Sequence, residues 1–130
     1  VAYKKYKEEY GHTYLQDDRD FEIRRNILRS NDWSDQSLLE TRTEIQNDLQ
    51  KTVCPLAPEV KKSLKILSRI PGSRLVSMSG SGPSCFALFK NYDDAKKMLK
   101  EHVNDFERAG LSAWACSMKS NGVQLGNEFT

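Results

Sequence analysis

Histidine is scarce in this chain. There are two, His12 and His102, and neither sits in a Ser-His-Asp order or an H-E-x-x-H run, so neither serine-hydrolase nor zinc-protease chemistry is written here. The three cysteines stand far apart at positions 54, 85 and 116, with no C-x-x-C pair. An odd, dispersed set excludes a disulfide framework and a cysteine zinc site. Cys85 and Cys116 lie in apolar, strand-like runs, which predicts buried, reduced thiols. No N-x-[ST] sequon, no signal-peptide pattern and no apolar run of roughly 18 residues occurs, so nothing predicts a glycosylated or membrane-spanning protein. A large charge of one sign is also missing: 20 basic residues face 18 acidic ones, a net charge of +2, which gives no reason to expect nucleic acid as a partner.

What is present fits an ordinary globular domain: 130 residues, 38% hydrophobic and 29% charged, enough for one core. The chain opens on Val1-Ala2-Tyr3 rather than Met, close to an apparent helix, which is open to three readings: a mature start, a cloning boundary or a domain excised from a longer protein.

The most informative segment is Val76-Ser77-Met78-Ser79-Gly80-Ser81-Gly82-Pro83-Ser84-Cys85-Phe86-Ala87-Leu88-Phe89. It reads as strand, Ser/Gly turn, strand. Gly80 and Gly82 allow positive φ and close approach of a ligand to the backbone. Successive free amides in such a loop suit phosphate, and Ser79, Ser81 and Ser84 add hydroxyls. A plain hairpin turn is the competing reading. The established phosphate fingerprints are not met. No lysine follows as in G-x-x-x-x-G-K-[ST], and Cys85 stands where G-x-G-x-x-G needs its last small residue.

Around that hairpin the periodicity predicts mostly helix. Val1 to about Tyr10 is helix-compatible, with Tyr3, Tyr6 and Tyr10 as a stripe suited to a core; a second pattern spans about Phe21 to Leu28, and Ser30 to Ser37 reads as loop. Leu38 to Val53 reads as one helix holding Asn47-Asp48 in its middle, facing either solvent or a neighbouring loop. Pro55 and Pro58 separate it from a helix over about Pro58 to Ile70, with Val60, Leu64, Leu67 and Ile70 buried. The opposite side carries Lys61, Lys62, Lys65 and Arg69, either a solvated face or a field that helps hold a nucleotide. Strands near Arg74–Ser79 and Pro83–Phe89 follow, the second apolar on both faces and so expected at the centre of a sheet. Asn91 or Asp93 caps a helix to about Arg108, with Ala95, Leu99, Val103 and Phe106 inward and Gly110 as its stop. Ser112 to Met118 reads as a further strand, and Asn121-Gly122 turns into a short Val123–Leu125 run. The predicted class is α+β, a two-layer ferredoxin-like sandwich with an antiparallel sheet, helices on one face and its first strand missing.

Taken together, the residues offer a phosphate cradle without catalytic machinery, which points to part of a site. Met78-Ser79-Gly80-Ser81-Gly82-Pro83-Ser84-Cys85-Phe86-Ala87-Leu88-Phe89 resembles the third conserved motif of the GHMP small-molecule kinases. Asn47-Asp48-Leu49-Gln50 resembles an N-D-L-E segment of the branch acting on a cytidylated methylerythritol, with Gln50 in place of the acid. Ala2-Tyr3-Lys4-Lys5-Tyr6 with Gly11-His12-Thr13-Tyr14 resembles the start of the C-terminal domain in cyanobacterial and plastid-type members. The similarity covers nearly the whole chain in the same order.

The resemblance implies that residues 1–130 form the C-terminal domain of a two-domain, ATP- and Mg2+-dependent kinase, inactive alone. Such a kinase acts in non-mevalonate isoprenoid synthesis, phosphorylating the 2-hydroxyl of 4-diphosphocytidyl-2-C-methyl-D-erythritol in the bacterial cytoplasm or plastid stroma. It implies a partner in the kinase's own N-terminal domain, which carries the main phosphate loop, the catalytic aspartate and the lysine; no catalytic or metal-binding residue is expected in this chain. It implies that Ser79, Gly80, Ser81, Gly82 and Pro83 border the phosphate site and that Tyr3 stacks on the substrate's cytosine. Two other classes compete: a stand-alone ferredoxin-like module binding a small regulatory ligand, and an RNA-binding module. The second needs stacking aromatics on one sheet face, whereas Phe86 and Phe89, three apart, fall on opposite faces.

Overall fold

The computed structural model describes residues 1–13, 17–30 and 47–119. Helix α1, Ala2–Tyr10, runs into a 3-10 turn over Gly11–Thr13, and α2 spans Asp18–Ser30. After the next described residue, Asn47, come α3 (Asp48–Val53) and α4 (Pro58–Leu67), strands β1 (Leu75–Met78) and β2 (Cys85–Leu88), and the long helix α5 (Tyr92–Arg108). The expected α+β class is observed, with β1 and β2 antiparallel in the register Leu75↔Leu88 to Met78↔Cys85.

Local chemistry sets these boundaries. Pro58 occupies the first turn of α4, where its missing N–H costs nothing. Asn91 caps α5 by accepting the Asp94 N–H at 2.8 Å, and Asp93 and Asp94 place negative charge in the first turn, where the helix dipole favours it. At the other end the Gly110 N–H closes on the Glu107 carbonyl at 2.9 Å, with Gly110 at φ 71°, the predicted stop.

Helix α4 lies across both strands, α5 touches α4, and α1 packs on α3. The centre of the core is Val53 of α3, Val60 of α4 and Met78 of β1, 6%, 0% and 2% exposed, with Ala2, Leu49, Cys54, Ala57, Leu64 and Cys85 packed around them. Thr52, also buried, meets Glu9 of α1 through its hydroxyl at 3.5 Å. Tyr6 is buried and its ring centroid lies 5.1 Å from that of Tyr10, over which Lys51 Nζ sits at 4.9 Å.

Several expectations are corrected. Asn47 is not inside a helix. Its backbone is extended (φ −85°, ψ 109°) and its side chain caps α3, the competition for backbone groups that short amides win at helix starts; positions 38–46 of the expected longer helix lie outside the described residues. β2 is not central among the described residues: β1 is its one neighbour, and Phe86, pointing away from α4, is exposed. Val103 is 39% exposed, because at 100° per residue it sits about 80° around α5 from Ala95, while Phe106 is only about 20° away and buried. Residues 112–118 form no strand, and Trp114, Cys116 and Met118 are exposed, since among the described residues no ladder partner takes their backbone groups. The expected loop over 31–37 and the 123–125 run lie outside the described residues.

Candidate functional site: the loop between the strands

The turn between β1 and β2 is built from inside. The Ser79 N–H donates to the Ser84 carbonyl at 2.8 Å, extending the ladder by one pair, and the Gly82 N–H donates to the Ser79 carbonyl at 2.9 Å, closing a tight turn. Gly80 and Gly82 both take positive φ, 54° and 76°, and the Gly82-Pro83 peptide is cis. The amides of Ser79 and Gly82 are therefore spent within the turn, and Pro83 has none. At its tip the loop presents two open amides, Gly80 and Ser81, rather than an uninterrupted row; a third amide without a main-chain partner, that of Ser84, lies at the foot of β2. The hydroxyls of Ser79 and Ser81 stand beside them on an exposed surface.

Two side chains of the α3 end hold this loop from behind. Asn47 Nδ2 donates to the carbonyls of Met78 and Gly80, both at 2.7 Å, while its Oδ1 accepts the Leu49 N–H at 3.0 Å. Of the two readings of Asn47 in the sequence, the bond to a neighbouring loop is the one realised. Gln50 Oε1 accepts the Met78 N–H at 2.9 Å and faces Ser77 Oγ at 3.5 Å. Both main-chain groups of Met78 are thus satisfied by α3 side chains. The acceptor role of Gln50 carries no local sequence signal beyond the N-D-L-x segment itself.

In front of the loop lies a cavity of about 300 Å³ lined by Val1, Ala2, Tyr3, Val53, Leu56 and Ser81. Tyr3, expected in the core stripe or at a ligand, is 67% exposed and so is not a core residue. The structure brings Tyr3 and Ser81, the two halves of the expected site, to one cavity, although 77 intervening residues separate them in the chain.

The titratable groups with displaced pKa values lie elsewhere. Burial, with a smaller contribution from neighbouring Cys54, pushes the Cys85 thiol up. The hydrogen bond from His102, 3.0 Å away, and the nearby Arg108 guanidinium hold Asp105 below the usual carboxylate range. This pairing satisfies His102 on a half-buried face, the packing role expected of it. Among the described residues no group of three or more His, Cys, Asp or Glu could hold a metal ion, and no helix is long and apolar enough to cross a membrane.

Residues 20–108 match the family described as GHMP kinases C terminal. A 4-diphosphocytidyl-2-C-methyl-D-erythritol kinase of Prochlorococcus marinus (strain NATL2A) is 75% identical over 130 residues, which are 100% of this chain and 41% of that protein. Proteins of the same name from Prochlorococcus marinus (strain MIT 9303) and Synechococcus sp. (strain CC9605) are 44% and 40% identical over 124 residues, 95% of this chain and 39% and 40% of theirs. The chain thus spans about 40% of the length of these relatives. No solved structure matches it.

Proposed function

The chain belongs to the GHMP kinases, in their C-terminal family, and from that premise we propose that it is the C-terminal domain of an ATP-dependent kinase that phosphorylates the 2-hydroxyl of 4-diphosphocytidyl-2-C-methyl-D-erythritol. The name borne by the 75% identical relative supports the substrate. The single observation that carries the reading is the shared cavity, lined both by the exposed ring of Tyr3 and by Ser81 of the serine/glycine turn. That juxtaposition suits a place where a substrate bearing an aromatic base is brought up to the transferable phosphate of ATP.

In this reading the Gly80 and Ser81 amides and the Ser79 and Ser81 hydroxyls donate to phosphate oxygens, Gly82 and Pro83 shape the turn, and Tyr3 stacks on cytosine. The reaction itself joins the substrate's hydroxyl oxygen to the γ-phosphorus as the bond to the β–γ bridging oxygen breaks and ADP leaves. Catalysis of this type is mostly positioning and charge stabilisation, and the group that receives the hydroxyl proton belongs to the N-terminal domain, the partner this domain works with. Among the described residues no group of three or more His, Cys, Asp or Glu gathers to hold a metal ion, and in this reading ATP and Mg2+ are held mostly by the N-terminal domain. In this reading the β1–β2 hairpin between α4 and α5 is the central strand pair of a ferredoxin-like βαββαβ arrangement. Free cysteines agree with a reducing compartment, the bacterial cytoplasm or plastid stroma.

The test is an assay of the full-length protein with ATP and the cytidylated alcohol. Formation of ADP together with the 2-phosphate is the expected result; failure to phosphorylate this alcohol, with activity on another, would reassign the substrate and the role of Tyr3.

A further inference from the structure

The two open amides of the loop exist in their observed positions because something outside the loop fixes its carbonyls. Within the turn only two main-chain bonds act, Ser79 to Ser84 and Gly82 to Ser79. Neither restrains the Gly80 peptide, and Gly80 has no neighbouring atom within 4 Å of where a side chain would start. A glycine in open space is free to rotate its peptide plane. Asn47 removes that freedom. Its amide nitrogen spans the Met78 and Gly80 carbonyls at 2.7 Å each, so the carbonyl of residue 80 is turned back toward α3. The next amide in the chain, Ser81, is fixed in the same peptide plane and faces the opposite way. Gln50 secures the other side of the hinge through the Met78 N–H at 2.9 Å, and Met78 itself is locked in the core at 2% exposure.

We propose that Asn47 and Gln50 are positioning residues of the phosphate-side loop: Asn47 sets the orientation of the Ser81 amide by holding the carbonyl of Gly80, and Gln50 anchors the base of the loop by accepting the Met78 N–H. This rests on the kinase reading above. Asn47 does two separable things. Its oxygen caps α3 through Leu49, a local and structural role, and its nitrogen holds the loop. Aspartate at 47 keeps the capping oxygen and replaces the donor by a second acceptor facing two carbonyls. Serine also keeps a cap but loses the reach, without the repulsion. At 50, glutamate keeps an acceptor for the Met78 N–H, and leucine abolishes it.

The experiment is steady-state kinetics on the full-length kinase carrying Asn47→Asp, Asn47→Ser, Gln50→Leu or Gln50→Glu, with thermal unfolding of each. A misaimed donor of this kind is expected to cost up to about 10²-fold. Asn47→Asp and Asn47→Ser should raise KM for ATP about tenfold or more and lower kcat, with KM for the cytidylated alcohol changing less than about twofold. Gln50→Leu should move in the same direction, and Gln50→Glu should recover most of that loss. Variants that unfold at lower temperature but keep both KM values would overturn the proposal, because lost structure lowers the active fraction without changing KM. If an Asn47 variant does not fold, the comparison of Gln50→Leu with Gln50→Glu decides alone: equal KM values for ATP reject the proposal. A wild-type enzyme inactive on the cytidylated alcohol but active on another would sink the substrate assignment and leave the loop comparison to be run on that alcohol.

Discussion

The sulfur of Met78 occupies the space where a side chain at Gly82 would begin: an ideal Cβ on Gly82 would lie 2.8 Å from Met78 Sδ and 3.6 Å from Val53 Cγ1. Met78 cannot easily yield, being packed against Val53 and Val60. Gly82→Ala therefore combines a clash with the strain of φ 76°, the latter alone about 1–2 kcal/mol. Gly80, at φ 54° with open space around it, carries only the strain, and asparagine relieves part of that. Urea unfolding of the full-length protein should place Gly82→Ala well below Gly80→Asn. Gly82→Val should in addition cut turnover by about tenfold or more as the backbone is displaced, and near-normal kinetics would remove the loop from the site.

Tyr3 is exposed on the cavity wall, so its replacement should be felt by substrate and not by the core. Base–aromatic stacking is worth about 1–3 kcal/mol, or about 5- to 150-fold in affinity. Tyr3→Ala in the full-length enzyme should raise KM for the cytidylated alcohol within that range, with a melting temperature close to wild type. An unchanged KM would take Tyr3 out of substrate binding.

Val60 is fully buried at the junction of α4, α3 and β1. Val60→Ala removes two methylene equivalents and leaves a void, together about 2–3 kcal/mol. Val103→Ala, on an exposed side of α5, should cost under about 0.5 kcal/mol. Comparable losses at both sites by chemical denaturation would mean that Val103 is covered in the full-length protein.

Asp105 is held below the usual carboxylate range by His102 and Arg108. A depressed folded-state pKa means that the associated stabilisation is present above the ordinary aspartate pKa, about 3.9, and is lost as pH falls through the lower folded value. Carboxyl-detected NMR should find Asp105 titrating below other aspartates, and His102→Ala should move it upward. No movement would assign the shift to Arg108.

The cysteines should separate by alkylation rate. Cys116 is exposed, whereas Cys54 and Cys85 are half-buried and burial holds the Cys85 thiol in its neutral, unreactive form to higher pH. Mass spectrometry after brief alkylation at pH 8 should show Cys116 modified first and Cys85 after it. The reverse order would contradict the packing of Cys85 on the core.

Much of the scaffold is legible in order along the chain, because it is written in short-range signals. Pro58 starts α4, Asn91 and Gly110 bracket α5, and Gly80 to Pro83 mark the turn between two apolar runs. What bears on the site is less so. The bonds of Asn47 to Met78 and Gly80 reach across 31 and 33 residues, and nothing local to Asn47 distinguishes a helix cap from a mid-helix amide. The strand expected over 112–118 fails for the same reason in reverse: alternation can be read locally, but a strand exists only where a partner takes its backbone bonds. Tyr3 shares its spacing with Tyr6 and Tyr10, yet one is exposed and another buried, because burial depends on what arrives from elsewhere in the chain.

The way α3 grips Met78 also gives the sheet a direction. At its loop end, the outer border of β1 offers nothing to pair with, because side chains of Asn47 and Gln50 already stand where a neighbouring strand's backbone would be. Among the described residues the free border of this hairpin is the far side of β2. Lateral growth of the sheet at that end is therefore one-sided, and any strand added beside the loop, from this polypeptide or another, has β2 as its place of attachment.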